Sequence, residues 1–307
     1  MKILRNLILS IFFVFTSCTI DKTDYEAELY AGSSEYTVYK EVTSFNTGNY
    51  KVSLEALNGT LYKGFNEIHV KIINSSTNSL ANVSSLTFLP ILSKNDGSKE
   101  SCPHQYTLDY QSTDKYFKGY SVFTNESGTN GTWKIYVNFT IDNQSYSAIH
   151  DISVQEQKNW NLNMTSFTGN DGEKYYIALI APQKPKVAEN DLVAGIFKYN
   201  QPTVPAGNFP DESQFSFSKV ANYKLKLDPR MPEPSMGNHS SPNNQDLVQQ
   251  NDGFYHGVVN YTMTGNWTLN FILLNASGTV IKGTEVSKDF TPGIQGAKSE
   301  LYIDTLF

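Results

Sequence analysis

Cysteine is scarce in this chain: 307 residues contain two, Cys18 and Cys102. A scaffold stapled by several disulfides is therefore excluded, and the fold has to rest on its own hydrophobic cores. Charge is sparse as well, with 18% Asp, Glu, Lys and Arg and a formal net charge of −6. No run of Lys or Arg is present. Binding to nucleic acid needs a basic face against the phosphates, so that partner class is disfavoured. There is no Gly-rich phosphate loop, no nucleophile elbow and no His-Glu-x-x-His pair. Acid pairs such as Asp211-Glu212 sit in turn-rich segments and read as solvated. Nothing in the chain supports an enzyme. No segment carries the period of an amphipathic helix.

What is abundant is aromatic and hydroxylic. Tyr and Phe number 19 and 18, amid many Asn, Ser and Thr. These residue types suit the pleated, half-buried surfaces of β-rich extracytoplasmic proteins. The N-terminus agrees with that location. Lys2 and Arg5 precede an apolar run from Leu7 to Phe15, followed by Thr16-Ser17-Cys18. This is the order of a secretory signal, and the run is too short for a comfortable membrane span. The Cys after the small pair resembles a bacterial lipobox, in which that Cys becomes the lipidated first residue. An ordinary signal peptide with an incidental Cys is the plainer alternative. On the lipobox reading, residues 1–17 are a signal peptide and 18–45 are a lipidated Cys and polar tether. Cys18 is then consumed by lipid, so Cys102 has no intrachain partner.

The body of the chain alternates with a period of two. In "TWKIYVNFTI" (132–141), Trp133, Ile135, Val137, Phe139 and Ile141 share one face. "YKVSLEAL" (50–57) and "EIHVKI" (67–72) behave alike. The second half repeats the first. "YIALIAP" (176–182) matches "YKVSLEA" (50–56), and "GNWTLNFIL" (265–273) matches "GTWKIYVNF" (131–139). Upstream of each Trp lies a matching triplet, Phe117-Lys118-Gly119 and Tyr255-His256-Gly257. With roughly seven short strands per copy, the expected fold is all-β: two tandem Ig-like antiparallel β-sandwiches. A single large β fold is the alternative. The expected boundaries are 46–156 for the first sandwich, 157–174 for a linker and 175–307 for the second. Alternate residues from Tyr255 to Phe271 are apolar, aromatic or Gly, which marks an inward face. Gly257 and Gly265 on that face suggest bulges or a close strand approach.

The duplication supplies an internal comparison for the Pro-rich stretch "DPRMPEPSMGNHSSP" (228–242). Laying Pro229 on Pro90 brings Pro242 onto Pro103 without a gap. In that frame Met231 matches Leu92, Met236 matches Gly97 and His239 matches Glu100. Thioethers are soft ligands and imidazole is intermediate, so the second-copy set favours copper, above all Cu(I). Pro232 and Pro234 stiffen the loop, and Gly237-Asn238 can supply positive φ to swing His239 round. A closed site needs a further donor, either His256 or a residue from elsewhere in the chain. The competing reading is that the Met residues fill core gaps and His239 is solvated. Zinc is disfavoured because no Cys/His cluster is present. Of the remaining histidines, His69 is expected to face solvent and His150 to be half-buried and structural. Cys102 and His104 make a two-ligand pair at most.

The segment "PRMPEPSMGNHSSP", followed by "GFYHGVVNYTMTGNW", resembles the YtkA-like domain, related to the FixH type. The resemblance covers most of 175–290 and extends weakly to 50–155. It implies a small extracytoplasmic β-sandwich whose relatives are associated with copper handling and cytochrome oxidase assembly. Met231, Met236 and His239 match its ligand pattern; the first copy departs from it at Leu92, Gly97 and Glu100. The expected function is a membrane-anchored lipoprotein of the bacterial cell envelope that binds copper in its second domain and hands it to a protein acceptor. The alternative is a metal-free surface protein that binds a glycan or a partner through exposed aromatics, including Trp160 and the insertion at 199–217.

Overall fold

A computed structural model gives the fold and describes residues 38–128 and 131–306. The expected signal peptide, Cys18 and the tether as far as residue 37 lie outside the described residues. The described chain is all-β: among those residues there is no α-helix, only two short 3-10 turns.

The first copy starts with β1 (Tyr39–Thr47), β2 (Tyr50–Leu57), β3 (Leu61–Tyr62) and β4 (Gly64–Asn74). It continues with β5 (Ser79–Leu80), β6 (Ser85–Ser93), β7 (Lys99–Glu100) and β8 (Asp109–Gln111). It ends with β9 (Tyr116–Phe123), β10 (Thr132–Ile141), β11 (Gln144–Ile152) and β12 (Val154–Gln155). One sheet runs β1-β2-β4-β9-β8 and the facing sheet runs β11-β10-β6-β7. β1 begins inside the segment expected to be tether. Its sequence, YKEVTSFNT, is polar, and it earns its place by pairing with β2 along the whole strand. The alternation of β10 holds: Trp133, Ile135, Val137, Phe139 and Ile141 all enter the core, opposite Val52, Leu54, Ile68 and Val70.

The second copy starts with β13 (Met164–Thr168), β14 (Lys174–Ala181), β15 (Glu189–Tyr199) and β16 (Phe217–Lys219). Then come β17 (Lys224–Met231), β18 (His239–Ser240), β19 (Gln245–Gln249) and β20 (Tyr255–Asn260). It closes with β21 (Asn266–Leu274), β22 (Val280–Lys282) and β23 (Tyr302–Leu306). The strand β13 lies within the expected linker. The order β13-β14-β15-β20-β19 repeats β1-β2-β4-β9-β8, and β22-β21-β17-β18 repeats β11-β10-β6-β7. One difference is that β19 pairs with both β20 and β17, which joins the two sheets along an edge. In the first copy that edge carries a single bridge, Thr87 to Thr107.

The repeat reaches into side chains that alternation does not reveal. Buried Asn66 bonds Tyr62 N, Tyr62 O and Gly64 O, pinning the turn before β4. Buried Asn190 makes the same three bonds to Lys186 N, Lys186 O and Ala188 O near the start of β15. The paired glycines are also equivalent. Gly119 stands opposite Ile68, and Gly257 stands opposite Leu192. A Cβ on Gly257 would lie 2.5 Å from Gln245 O, the close strand approach its position suggested.

The two sandwiches meet on the outer faces of their corresponding sheets. Phe65, Tyr120 and Val122 from the first pack with Tyr176, Ala178 and Phe197 from the second, and Phe217 and Phe254 close the seam. The insertion after β15 then turns over the first copy. Phe215 packs on Leu89, Ile91 and Tyr136, the outer face of β6 and β10. Phe209 meets Tyr136 edge-on at 5.6 Å between ring centroids.

Candidate metal centre

Three of the four expected ligands belong to one hairpin. The strands β17 and β18 pair so that Met231 and His239 are direct partners, with Arg230 opposite Ser240. In the first copy, β6 and β7 pair Leu92 with Glu100. The gap-free alignment on the two prolines thus coincides with the strand register in both copies. Between Met231 and His239 the chain makes a 3-10 turn, Pro234–Met236, which ends on Gly237 at φ 65°. Asn238 follows at φ 53°, so the Gly-Asn pair reverses the chain as its residue types allow. The first-copy loop turns one position earlier, at Gly97 with φ 85°.

A long loop between β22 and β23 braces the hairpin tip. Gly296 N donates to Pro232 O at 2.7 Å. The buried Asn238 side chain donates to Ser287 O at 3.1 Å and to Asp289 O at 3.3 Å.

Met231 is 2% exposed and packs in the second core. Its Cε lies 2.8 Å from where a Cβ on Gly265 would stand, so that glycine makes room for the thioether. His239 is half-buried. Its Nε2 is 2.9 Å from Thr262 Oγ1, and its ring meets Trp267 edge-on at 6.1 Å. Trp267 is fully buried and donates from Nε1 to Met263 O at 3.0 Å. Met236 and Met263 are half-buried against the same core. Glu233 Oε2, in the same loop, is buried without a hydrogen-bond partner. The hairpin and the β20–β21 turn thus offer thioethers, one imidazole and an uncompensated carboxylate oxygen. That donor set fits a soft monovalent cation better than a hard divalent one. Leu92, Gly97 and Glu100 offer the first copy no such set.

His256 does not join them. It sits at the start of β20, beside Val193 and Val248, and its Nε2 is 2.9 Å from Asp252 Oδ2. Burial works against ionisation of Asp252, but the Phe254 N–H and His256 outweigh it and lower its pKa. Strands rise about 3.3 Å per residue, so the length of β20 separates His256 from the Tyr261 end where the hairpin lies. The donors that sequence reasoning passed over at that end are Met263, one of the alternate residues from Tyr255 to Phe271 that mark an inward face, and Glu233. Met263 reaches the same core from the β20–β21 turn, which local spacing does not signal, whereas Glu233 lies within the Pro-rich stretch itself.

The other expectations divide. His69 is on the outer face, as alternation says, yet it is 4% exposed. Tyr39 and Tyr116 stack on its two sides at 3.9 and 3.8 Å, and Glu67 Oε1 lies 2.9 Å from its Nε2. The covering rings come from β9, which pairs with β4, and from β1, one strand beyond β2, and they overturn the expectation of a solvated residue. His150 is half-buried, stacked on Phe45 and bonded to Thr43 Oγ1 at 2.8 Å. His104 Nδ1 is 2.7 Å from Cys102 O, and Cys102 Sγ is 3.2 Å from Ser121 Oγ. Burial pushes the Cys102 thiol up to about 12 and His104 down to about 4. The pair is a protonated thiol and a neutral ring with separate partners. Trp160 is 37% exposed and donates to Glu156 Oε1 at 3.2 Å. Among the described residues there is no group of three or more His, Cys, Asp and Glu placed to hold a metal ion. Cys18 lies outside the described residues.

No family model matches the sequence, and no curated protein is significantly similar to it. A crystal structure of a conserved domain protein from Bacillus anthracis is similar over 90% of this chain and 93% of that chain. The identity is 10% and the TM-score 0.28, a likeness that says nothing of function.

Proposed function

We propose that the second sandwich binds copper as Cu(I) through Met231, Met236 and His239, with Met263, packed on the same core, as a further donor. In this reading the chain is a lipid-anchored protein of the bacterial cell envelope, tethered through Cys18, and copper is its cargo for a protein acceptor. The observation that carries the reading is the register of the hairpin. Met231 and His239 are cross-strand partners with Met236 in the turn between them, while the identical frame in the first copy pairs Leu92 with Glu100. The YtkA-like resemblance of residues 175–290 points the same way.

The physical argument rests on softness and access. Thioethers discriminate against hard cations, and a Cu(I) site needs no charged ligand to hold the ion. Thr262 orients the His239 ring through Nε2, which leaves Nδ1 as the coordinating atom. Met236 and His239 reach solvent and Met231 faces the core, so cargo enters from the loop side and is released the same way.

The test is a Cu(I) titration of the chain from residue 19 onward, in competition with a chromogenic chelator. Binding at micromolar affinity or tighter is expected, and it should be lost in the Met231→Ala/Met236→Ala/His239→Ala variant. Absence of such binding, or binding unchanged in the triple variant, refutes the reading. His256→Ala should leave the affinity unchanged.

A further inference from the structure

A cleft of about 410 Å³ opens beside the seam, and both copies and the insertion line it. That volume falls within the range of small-ligand sites, roughly 300–1,000 Å³. One wall is aromatic: Tyr176, Tyr199, Phe215 and Phe217. Phe217 is its hub, edge-on to Tyr176 at 5.5 Å and tilted against Tyr199 at 5.4 Å. The hub is fixed from below, because His104 of the first copy meets Phe217 at 6.0 Å. Tyr199 is held too, its hydroxyl donating to Gln214 O at 2.8 Å. The remaining lining is hydroxyl and amide, from Thr124, Asn125, Ser166 and Gln201.

Positive charge outweighs negative in the cleft. Lys99 and Lys174 line it, and both are exposed. Glu100 also lines it, but its carboxylate is held by Lys94 Nζ at 2.6 Å. Lys94 thus offsets Glu100, and Lys99 and Lys174 leave the cleft net positive. Lys174 Nζ sits 5.5 Å over the Tyr176 ring and Lys99 Nζ 4.0 Å over Phe209. The first contact places the Lys174 ammonium beside the aromatic wall; Phe209, under Lys99, lies outside the lining and meets the wall's Phe215 edge-on at 6.3 Å.

A matching ligand needs an apolar face for the rings, an edge rich in hydroxyls for the amides, and negative charge for the lysines. A pyranose has the first two in one ring: its C–H face is apolar and its rim is hydroxylated. A carboxylate on that ring supplies the third. Rigid aromatic walls take up such a face with little loss of side-chain entropy. We propose that the cleft binds an acidic saccharide, a short oligomer of uronate sugars. The site needs both copies, which gives the first sandwich and the insertion a role that the hairpin does not. The proposal is independent of copper.

Calorimetric titration of the chain from residue 19 onward would use three probes: trigalacturonate, neutral cellotriose and inorganic phosphate. Trigalacturonate should bind at least about tenfold more tightly than cellotriose, and phosphate should not compete with it. Lys99→Ala/Lys174→Ala should weaken trigalacturonate about tenfold or more without changing the thermal midpoint, since both side chains are at the surface. Gln201→Ala, also exposed, should weaken both saccharides. Lack of any heat with trigalacturonate overturns the proposal. So does equal binding of cellotriose, displacement by phosphate, or indifference to the lysine and Gln201 variants.

Discussion

Glu67 offers the sharpest quantitative test of the fold. It sits on the outer face of β4, with its Oε1 2.9 Å from His69 Nε2 and its Oε2 2.7 Å from Lys118 Nζ. Burial alone would raise its pKa. Hydrogen bonds from His69, Lys118 and Tyr39, with the Lys118 charge, outweigh burial and bring it from 4.5 down to about 2. The carboxylate is 28% exposed, so solvent screens it only in part. A difference of some 2.5 units, at 1.36 kcal/mol per unit, corresponds to roughly 3 kcal/mol favouring the folded state. The folded pKa lies below the unfolded one. The stabilisation is therefore complete above about pH 5 and is lost as pH falls through about 2. Urea unfolding of the parent and of Glu67→Gln, over a pH series, isolates this group because all other carboxylates are common to both proteins. At neutral pH the variant should be less stable by about 3 kcal/mol. The gap should narrow steadily below about pH 4.5 and close near the acid end. Two curves that stay parallel across that range refute the reasoning.

Two further outcomes follow from close packing and burial. Gly131 and Gly265 occupy corresponding positions at φ 135° and 131°. A Cβ on Gly131 would meet Ser93 O at 2.4 Å, whereas on Gly265 it would meet the flexible Cε of Met231 at 2.8 Å. Strain at such φ costs on the order of 1–3 kcal/mol in either place. Gly131→Ala should be the more damaging in urea melts, because backbone cannot move aside as a thioether can; the reverse order refutes this account. The Cys102 thiol, pushed up to about 12 by burial, should resist an aromatic disulfide reagent in the native protein and react at once in denaturant. Rapid native labelling at mildly alkaline pH would show that the site is open.

Elements whose residues carry their own period were readable from the chain. In β10 every second side chain enters the core, and the Pro90/Pro229 frame aligned positions that the strand register also makes equivalent, although the hairpins themselves were read as loops. What escaped depends on neighbours remote in sequence. The strand β1 is polar and is held by β2. His69 obeys alternation and is nonetheless covered, because Tyr116 arrives from the adjacent strand β9 and Tyr39 from β1, two strands away. His256 looked available to the hairpin from its place in an aromatic run, but a strand points its residues by position along the axis as well as by face. The insertion looked like a free binding arm, and its Phe215 turned out to seat on the other copy. Asn66 and Asn190 show the opposite case. Their shared clamp was written in both copies, but an isolated Asn carries no periodic signal to mark it.

The seam between the copies changes what either half could be on its own. Phe65, Tyr120, Tyr176 and Phe197 occupy outward strand positions, where a free-standing sandwich would show them to water. Contiguous exposed aromatics of that kind drive association. Severing the chain between β12 and β13 would therefore yield two pieces that seek partners, with self-association in place of the lost seam. The duplication is in this sense no longer modular. Each copy serves as the other's solubilising surface, and an insertion, deletion or truncation in one is felt as stickiness in the other.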